Sequence, residues 1–222
     1  MYVYTRSVTF IWTQQAYVKA SNPGAYDYFG SSVALSADGD TLAVGSNEAS
    51  SSIGIGSTPN EAAPSAGTVY VYTRGGVTWT QQAYVKASNT GDSDYFGLSL
   101  ALSADGNTLA VGAPYEGSAK TGIIPGAPVQ TETDTPNAAS GSSSGAIYLF
   151  TRSGITWTQQ AYVKASNTGV GDSFGISVAL SANGNTLAAG ASGEASAATG
   201  VNNTMPGQAD NTALSVGAVY LY

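Results

Sequence analysis

The sequence contains no cysteine and no histidine. Without cysteine there are no disulfides and no thiolate metal sites, and the redox compartment cannot be read from bridges. Without histidine the chain lacks the usual general base, the commonest ligand of transition metals and the Ser-His-Asp arrangement. No other nucleophile and base are recognisable, so the sequence predicts a protein that is not an enzyme.

Charged residues are scarce, and their balance is acidic. They make up 9% of the 222 residues, and the net charge is −7. Nucleic acids and anionic membrane surfaces are bound through basic patches, so we expect neither as a partner. No apolar run approaches the roughly 20 residues that cross a bilayer, and we expect no membrane insertion.

Glycine, tyrosine and small polar residues are abundant instead. The chain has 28 glycines and 14 tyrosines, and 42% of its residues are hydrophobic. A chain of this length and hydrophobic content can bury a substantial core. Many turn residues combined with few helix formers predict an all-β protein.

Three copies of one unit account for nearly the whole chain. The segment WTQQAYVKASN occurs three times at separations of 67 and 78 residues, and a Phe-Gly pair recurs at the same separations. The repeated positions are Trp12, Trp79 and Trp157, then Phe29 with Gly30, Phe96 with Gly97, and Phe174 with Gly175. Length varies chiefly in three inserts, at 46–66, 113–144 and 191–216. The pattern indicates a rigid unit with one variable loop.

Each unit predicts four short antiparallel strands. In the second copy these strands span 96–103, 107–113, 145–152 and 156–166. The first two are apolar or small on both faces, which suits strands buried between neighbouring sheets, and the fourth is polar like an outer edge. We therefore predict a β-propeller of four-stranded antiparallel blades, with a solenoid of stacked hairpins as the alternative. The blade divisions fall at 1–28, 29–95, 96–173 and 174–222.

The motifs DYFG, LAVGAP and GAIYLF of the second copy resemble the FG-GAP repeats of integrin α-subunit propellers and their bacterial relatives. The resemblance covers the chain three times, although only this copy keeps Gly112, Ala113 and Pro114 together. It implies a propeller, of about seven blades in that family. It also implies a secreted or cell-surface location and a role in adhesion or ligand binding.

The number of units is too small for a closed ring. Closed propellers have about 4–8 blades, and this chain carries three repeats. We expect a ring closed by other chains, or a chain that is part of a longer repeat protein. The N-terminus MYVYTRSVTFIW lacks the layout of a signal peptide, so we expect either a cytosolic chain or a mature or excised piece of a larger protein, and the repeats favour the second.

The turn between the first two strands raises the question of calcium. The resemblance implies a calcium loop rich in carboxylates here, but this chain offers only Asp38, Asp40 and Asp105. Calcium requires six to eight oxygen ligands, which these loops supply poorly. We favour a hairpin turn and no cofactor. If any copy binds calcium, we expect it to be the first.

We assign structural roles to the other repeated residues. Asp27, Asp94 and Asp172 are expected to accept backbone N–H bonds where the chain enters the first strand. The repeated tryptophans and tyrosines are expected to pack between blades. Lysines at the end of the fourth strand, with the adjacent glutamines, are interpreted as a solvated edge; these are Lys19, Lys86 and Lys164. Acids in the inserts are interpreted as solvated charge; these are Glu48, Glu61, Glu116, Glu132, Asp134 and Glu194.

The leading functional hypothesis is a non-enzymatic, extracellular or cell-surface FG-GAP module for adhesion or scaffolding, with a protein or glycan ligand. The inserts are its expected contact surface. One alternative is a structural protein that self-associates through blade edges into a ring or filament, or that pairs with further repeats of the same protein. A further alternative is a calcium- or glycan-binding, lectin-like propeller.

Overall fold

The computed structural model describes residues 1–127, 143–201 and 212–222, and these ranges contain strands and turns but no helix. The strands are β1 Tyr2–Arg6, β2 Trp12–Tyr17, β3 Ser32–Leu35, β4 Thr41–Ser46, β5 Thr68–Gly75, β6 Thr78–Val85, β7 Ser99–Leu102, β8 Thr108–Ala113, β9 Ile123–Pro125, β10 Ala146–Ser153, β11 Thr156–Val163, β12 Phe174–Leu180, β13 Leu187–Ala191 and β14 Ala218–Leu221. No helix in the described part of the chain is long and apolar enough to span a bilayer.

Four antiparallel sheets follow one another along the chain. The N-terminal sheet is β1-β2, blade one is β3-β4-β5-β6, blade two is β7-β8-β10-β11-β9, and blade three is β12-β13-β14. The strands that the blades share form a meander, because each pairs with the next of them along the chain. Strand β9 of blade two departs from this order. The all-β, blade-by-blade architecture predicted from the sequence is confirmed. The described residues form no closed ring, in agreement with an incomplete propeller.

Blade two differs from the four-stranded prediction. Its insert contributes β9, which pairs with the outer side of β11. In blade one the equivalent insert forms no strand, but Ile55 makes an isolated bridge to Val85, and the backbone of Gly54 and Gly56 bonds to the end of β6 and the residues after it. Strand four of blade two is therefore not an edge, since β9 satisfies backbone groups that would otherwise face solvent. The inserts pack back on their own blades at these points instead of projecting freely.

Hydrophobic clusters lie between successive sheets. The second strands β4 and β8 are almost entirely buried in them. One cluster, with Val18, Val44 and Tyr70, joins the N-terminal sheet to blade one. A second, with Val71, Phe96 and Val111, joins blade one to blade two. A third, with Ile147, Phe174 and Ala189, joins blade two to blade three. Each aromatic ring of a Phe-Gly pair meets tyrosine or phenylalanine rings of its own blade edge-on. Packing between blades thus explains why the first two strands of each unit are apolar or small on both faces.

The motif glycines lie where neighbouring blades touch. A Cβ atom on Gly112 of blade two would overlap the carbonyl oxygen of Gly175 in blade three, and one on Gly145 would overlap that of Phe174. Gly97 has a φ of +92°, a conformation that side chains disfavour. These backbones approach too closely for any side chain. Contacts between blades therefore explain why glycine recurs at these positions of the repeat.

Candidate functional site

The strands run between two ends of the molecule. At the turn end lie the loops between first and second strands and the hairpins between third and fourth strands. At the insert end each first strand begins and each second strand ends. The inserts therefore start there, and each fourth strand also ends there. The carboxylates proposed for calcium lie at the turn end, and the inserts begin at the other.

In the first copy, Asp38 holds the turn together. Its Oδ1 accepts hydrogen bonds from the Ser36 hydroxyl at 2.6 Å and from the Asp40 N–H at 2.9 Å. The serine hydroxyl, helped by that N–H, holds the pKa of Asp38 below its usual range. Asp40 forms an ion pair with Arg74, whose Nη2 lies 2.6 Å from Oδ1. The Asp38 carboxylate is therefore already bonded within the turn, and the Asp40 carboxylate is already paired with Arg74 at the end of β5.

The other two copies form the same turn with fewer charges. Asp105 accepts from the Ser103 hydroxyl at 2.5 Å, and this bond lowers the pKa of Asp105. In the third copy Asn183 replaces the aspartate and accepts from the Ser181 hydroxyl at 2.7 Å. Because an uncharged amide forms the same turn, the turn does not require a carboxylate. Within the ranges described, no three acidic residues come together as a metal site. The expectation of a hairpin turn without calcium stays a prediction, and Asp38 with Asp40 remains the copy in which calcium would be sought.

The aspartates before the Phe-Gly pairs close small loops at the insert end. Asp94 Oδ2 accepts the N–H of Gly91 at 2.7 Å, and Asp172 Oδ2 accepts that of Gly169 at 2.6 Å. Asp27 accepts the N–H of Gly24 in the same way. Burial raises the pKa of Asp172. Each carboxylate thus fixes the backbone where the chain enters a first strand.

The second glutamine of the first two WTQQ segments connects adjacent sheets. Gln82 Oε1 accepts hydrogen bonds from Arg152 Nη1 at 3.1 Å and from Trp157 Nε1 at 2.9 Å. Gln15 receives the same pair of bonds from Arg74 and Trp79 of blade one. These glutamines belong to the interface between blades, so the interpretation of both glutamines as a solvated edge is wrong for this one.

Buried charge at the insert end is the largest departure from the sequence-based interpretation. Glu116 and Lys164 are both fully buried in blade two and form an ion pair of 2.6 Å. Asn89, four residues after β6 of blade one, donates to Glu116 at 3.1 Å and accepts from the Tyr148 hydroxyl at 2.7 Å. The glutamate satisfies its charge inside the protein, which makes its burial tolerable.

The hydrogen bond from an asparagine to a buried glutamate recurs in the other blades, although Lys86 of blade one donates to the carbonyl oxygen of Gly67 instead of pairing with a glutamate. Glu48 accepts from Asn22 at 2.7 Å and from the hydroxyls of Tyr70 at 2.6 Å and Tyr84 at 2.8 Å. Burial raises the pKa of Tyr84 to about 12, so it stays a donor at neutral pH. Glu194 accepts from Asn167 at 2.9 Å.

The prediction of solvated charge is thus wrong for five residues, which are Glu48, Glu116, Glu194, Lys86 and Lys164. It holds for Glu61 and Lys19, which are exposed. Glu132 and Asp134 lie outside the described residues. A signal was available in the sequence, because a glutamate stands three or four residues after the last glycine of each LAVG or LAAG segment. Its recurrence at a fixed place in otherwise variable inserts indicates a structural role.

An open cleft lies at the insert end between blades one and two. It has a volume of about 340 Å³ and is lined by Tyr28, Asn47, Tyr95 and Leu98, which we call the tyrosine cleft, together with neighbouring backbone. Tyr28 is 64% exposed, and the Tyr95 ring lies 5.2 Å from that of Tyr115. These tyrosines leave ring surface open to solvent, whereas Tyr70, Tyr72 and Tyr148 on the third strands of blades one and two are buried.

The tyrosines of this cleft are not required by the backbone. Tyr28 and Tyr95 have φ values of 47° and 55°, in the left-handed region, because the chain turns sharply before each Phe-Gly pair. The third copy has Ser173 at the same place with a φ of 54°. Since serine adopts the same turn, the two aromatic side chains are features of the surface and not of the fold.

Comparison with protein families identifies the repeat. The model described as FG-GAP repeat matches residues 12–72, 79–150 and 157–222. The chain belongs to the FG-GAP repeat family. A comparison with curated proteins gave no match.

Each FG-GAP segment begins at a tryptophan of strand four and ends in strand three of the next blade. The sequence unit of the family therefore crosses one blade interface. That interface is where the glutamine, asparagine, glutamate and glycine contacts described above are made. FG-GAP repeats occur in extracellular, adhesion-type propeller modules, and the family is generally non-enzymatic.

Proposed function

We propose that this chain is a module of an extracellular or cell-surface FG-GAP protein and that it serves adhesion or scaffolding by binding a protein ligand at its insert end. The observation that supports the proposal is the tyrosine cleft between blades one and two, with Tyr28 and the nearby Tyr115 exposed. Tyrosine is enriched at protein interfaces, because its ring is largely apolar and its hydroxyl can bond to water or to a partner.

The distribution of polar residues also favours the insert end as the place where a ligand binds. The conserved pattern of the three copies is used internally, in turns, ion pairs and contacts between blades. The tyrosines at 28, 95 and 115 are not part of that pattern, since the third copy has Ser173 where the first two have Tyr28 and Tyr95. The inserts leave the blades beside this cleft. A ligand at this end would meet both the aromatic surface and the most variable segments.

The test is a double variant, Tyr28→Ser with Tyr95→Ser, which copies the residue that the third repeat has naturally. Purified chain would be titrated on immobilised extracellular matrix and cell-surface proteins, with a glycan array in parallel. We expect a protein ligand whose affinity falls at least about tenfold in the variant, as for a central aromatic contact. Ile155→Ser, at the turn end and 79% exposed, is the matched control.

Circular dichroism and thermal melting would establish that the variant is folded. Equal binding by wild type and cleft variant would overturn the assignment of this site. Binding confined to the glycan array would replace the protein ligand with a carbohydrate.

A further inference from the structure

A groove runs along β14 in blade three. Among the described residues β14 pairs with β13 on one side, and its other side faces this groove. The groove has a volume of about 640 Å³, and its walls include Tyr220 and Leu221 of β14, Glu194, and Gly200 with Val201 of the insert. Its two long walls are therefore a strand and a segment of the same blade's insert.

Blade two shows what fits between two such walls. There β11 lies between β10 and β9, with Tyr148 opposite Tyr162 and Val163 opposite Ile123. Gly122, which precedes β9, has a φ of +74°, and Gly200 has a φ of +75°. Gly200 and Val201 thus correspond to Gly122 and Ile123. The groove beside β14 in blade three is therefore equivalent to the place that β11, the fourth strand, fills in blade two.

We propose that this groove binds β2 of a second copy of the chain. The segment from Trp12 to Asn22 is identical in sequence to the segment from Trp157 to Asn167, which includes β11. In the register of blade two, Tyr17 of the second copy lies opposite Tyr220 and Val18 opposite Val201. The proposal goes beyond the adhesion function and does not depend on it.

Charge complementarity selects this occupant. In blade two the Lys164 ammonium lies 2.6 Å from buried Glu116. Glu194 is the equivalent glutamate of blade three, 3% exposed, and accepts hydrogen bonds from the Asn167 amide and the Ser196 N–H. Lys19 is the equivalent lysine of β2 and is exposed in its own chain. Docking of β2 brings the exposed ammonium to the buried carboxylate.

The N-terminal sheet can release β2 at little cost. Its strand pairing is between β1 and β2 alone, and a sheet of two strands gains little stability from its own pairing. On the side of β1, the partly buried Met1 and Val3 pack on the cluster shared with blade one. Tyr2 and Tyr4 of β1 are both more than half exposed. Since β1 and β14 are both third strands of the repeat, β14 of one copy replaces β1 of the other. Val18, on the face of β2 that packs against blade one, keeps its contacts.

The resulting contact is head to tail, because it joins the last blade of one copy to the first strands of the next. Such heterologous contacts produce rings if the rotation closes and filaments if it does not. Native mass measured by light scattering and sedimentation over a range of concentrations is the first test. We expect the mass to rise from that of a monomer to that of a ring or filament.

Lys19→Glu is the decisive variant, because it changes an exposed residue of the monomer and places a carboxylate against Glu194 in the assembly. We expect it to weaken association at least about tenfold, the equivalent of one charged contact. Lys120→Glu makes the same change of charge at an exposed site outside the groove and should leave association unchanged. Association that persists in Lys19→Glu would overturn the proposal.

Two further measurements locate the contact. A peptide with the sequence of residues 8–22 should bind the full chain and dissolve the assembly, whereas a scrambled peptide should do neither. Because the chain has no cysteine, a mixture of Ala16→Cys and Leu221→Cys should form a mixed disulfide between copies. A chain that stays monomeric at all concentrations, with or without peptide binding, would refute docking of a second copy.

Discussion

Substituting Lys164→Met tests how much the buried ion pair of blade two stabilises the protein. Methionine keeps an unbranched apolar stem but removes the ammonium that lies 2.6 Å from Glu116, leaving a fully buried carboxylate. Removing one partner of a buried ion pair costs about 3–5 kcal/mol. Glu116 keeps the amide of Asn89 at 3.1 Å, so we expect the lower part of that range, about 3 kcal/mol. In a chain of this size the melting temperature should fall by roughly 6–12 °C.

A double-mutant cycle separates the pair from its surroundings. Glu116→Gln alone should also destabilise the protein, because it leaves the ammonium of Lys164 without its carboxylate. The double variant carries no buried charge at this place, and we expect it to be closer to wild type than the sum of the singles by about 2 kcal/mol. Lys19→Met is the matched control, since it changes the exposed copy of the same lysine and should stay within about 0.5 kcal/mol of wild type.

Urea denaturation followed by tryptophan fluorescence measures these differences at neutral pH, in dilute solution where association is negligible. Trp157 is buried and reports on the interface between blades one and two. The reasoning would be refuted if Lys164→Met cost no more than Lys19→Met. It would also be refuted if the two single effects were simply additive, since the ion pair would then contribute nothing of its own.

Three other predictions concern glycine, pH and calcium. Gly112→Ala should destabilise the protein by about 1–3 kcal/mol, because the added Cβ overlaps the neighbouring blade, whereas Gly75→Ala meets nothing and should be neutral in denaturant titrations. Burial lowers the pKa of Lys86 from 10.5 to about 8, so the unfolded chain binds more protons between these values. The free energy of unfolding should therefore rise by about 2 kcal/mol from about pH 7.5 to about pH 9.5, and Lys86→Met should abolish the rise. Calorimetric titration with calcium should give no heat and no gain in melting temperature; a gain that Asp38→Asn removes would establish a calcium site.

The sequence alone determined the architecture. Repeat spacing, alternation of short apolar segments with glycine turns, and the position of the inserts predicted all-β blades in chain order, and the FG-GAP match confirms the family. These features are local, because strand and turn preferences depend on neighbouring residues. The glycines at 112 and 145 were visible as a motif, although the reason for them, the close approach of the next blade, was not.

Only the tertiary structure decided which copies of a residue are buried. Trp12 and Trp157 begin identical segments of the sequence, yet one is 63% exposed and the other 4%. Lys19 is exposed, whereas Lys164 is buried against Glu116. Burial and ion pairing depend on which strands pack against a segment, and these come from elsewhere in the chain. The groove beside β14 became visible for the same reason, since it is defined by comparing the surroundings of equivalent strands and not their sequences.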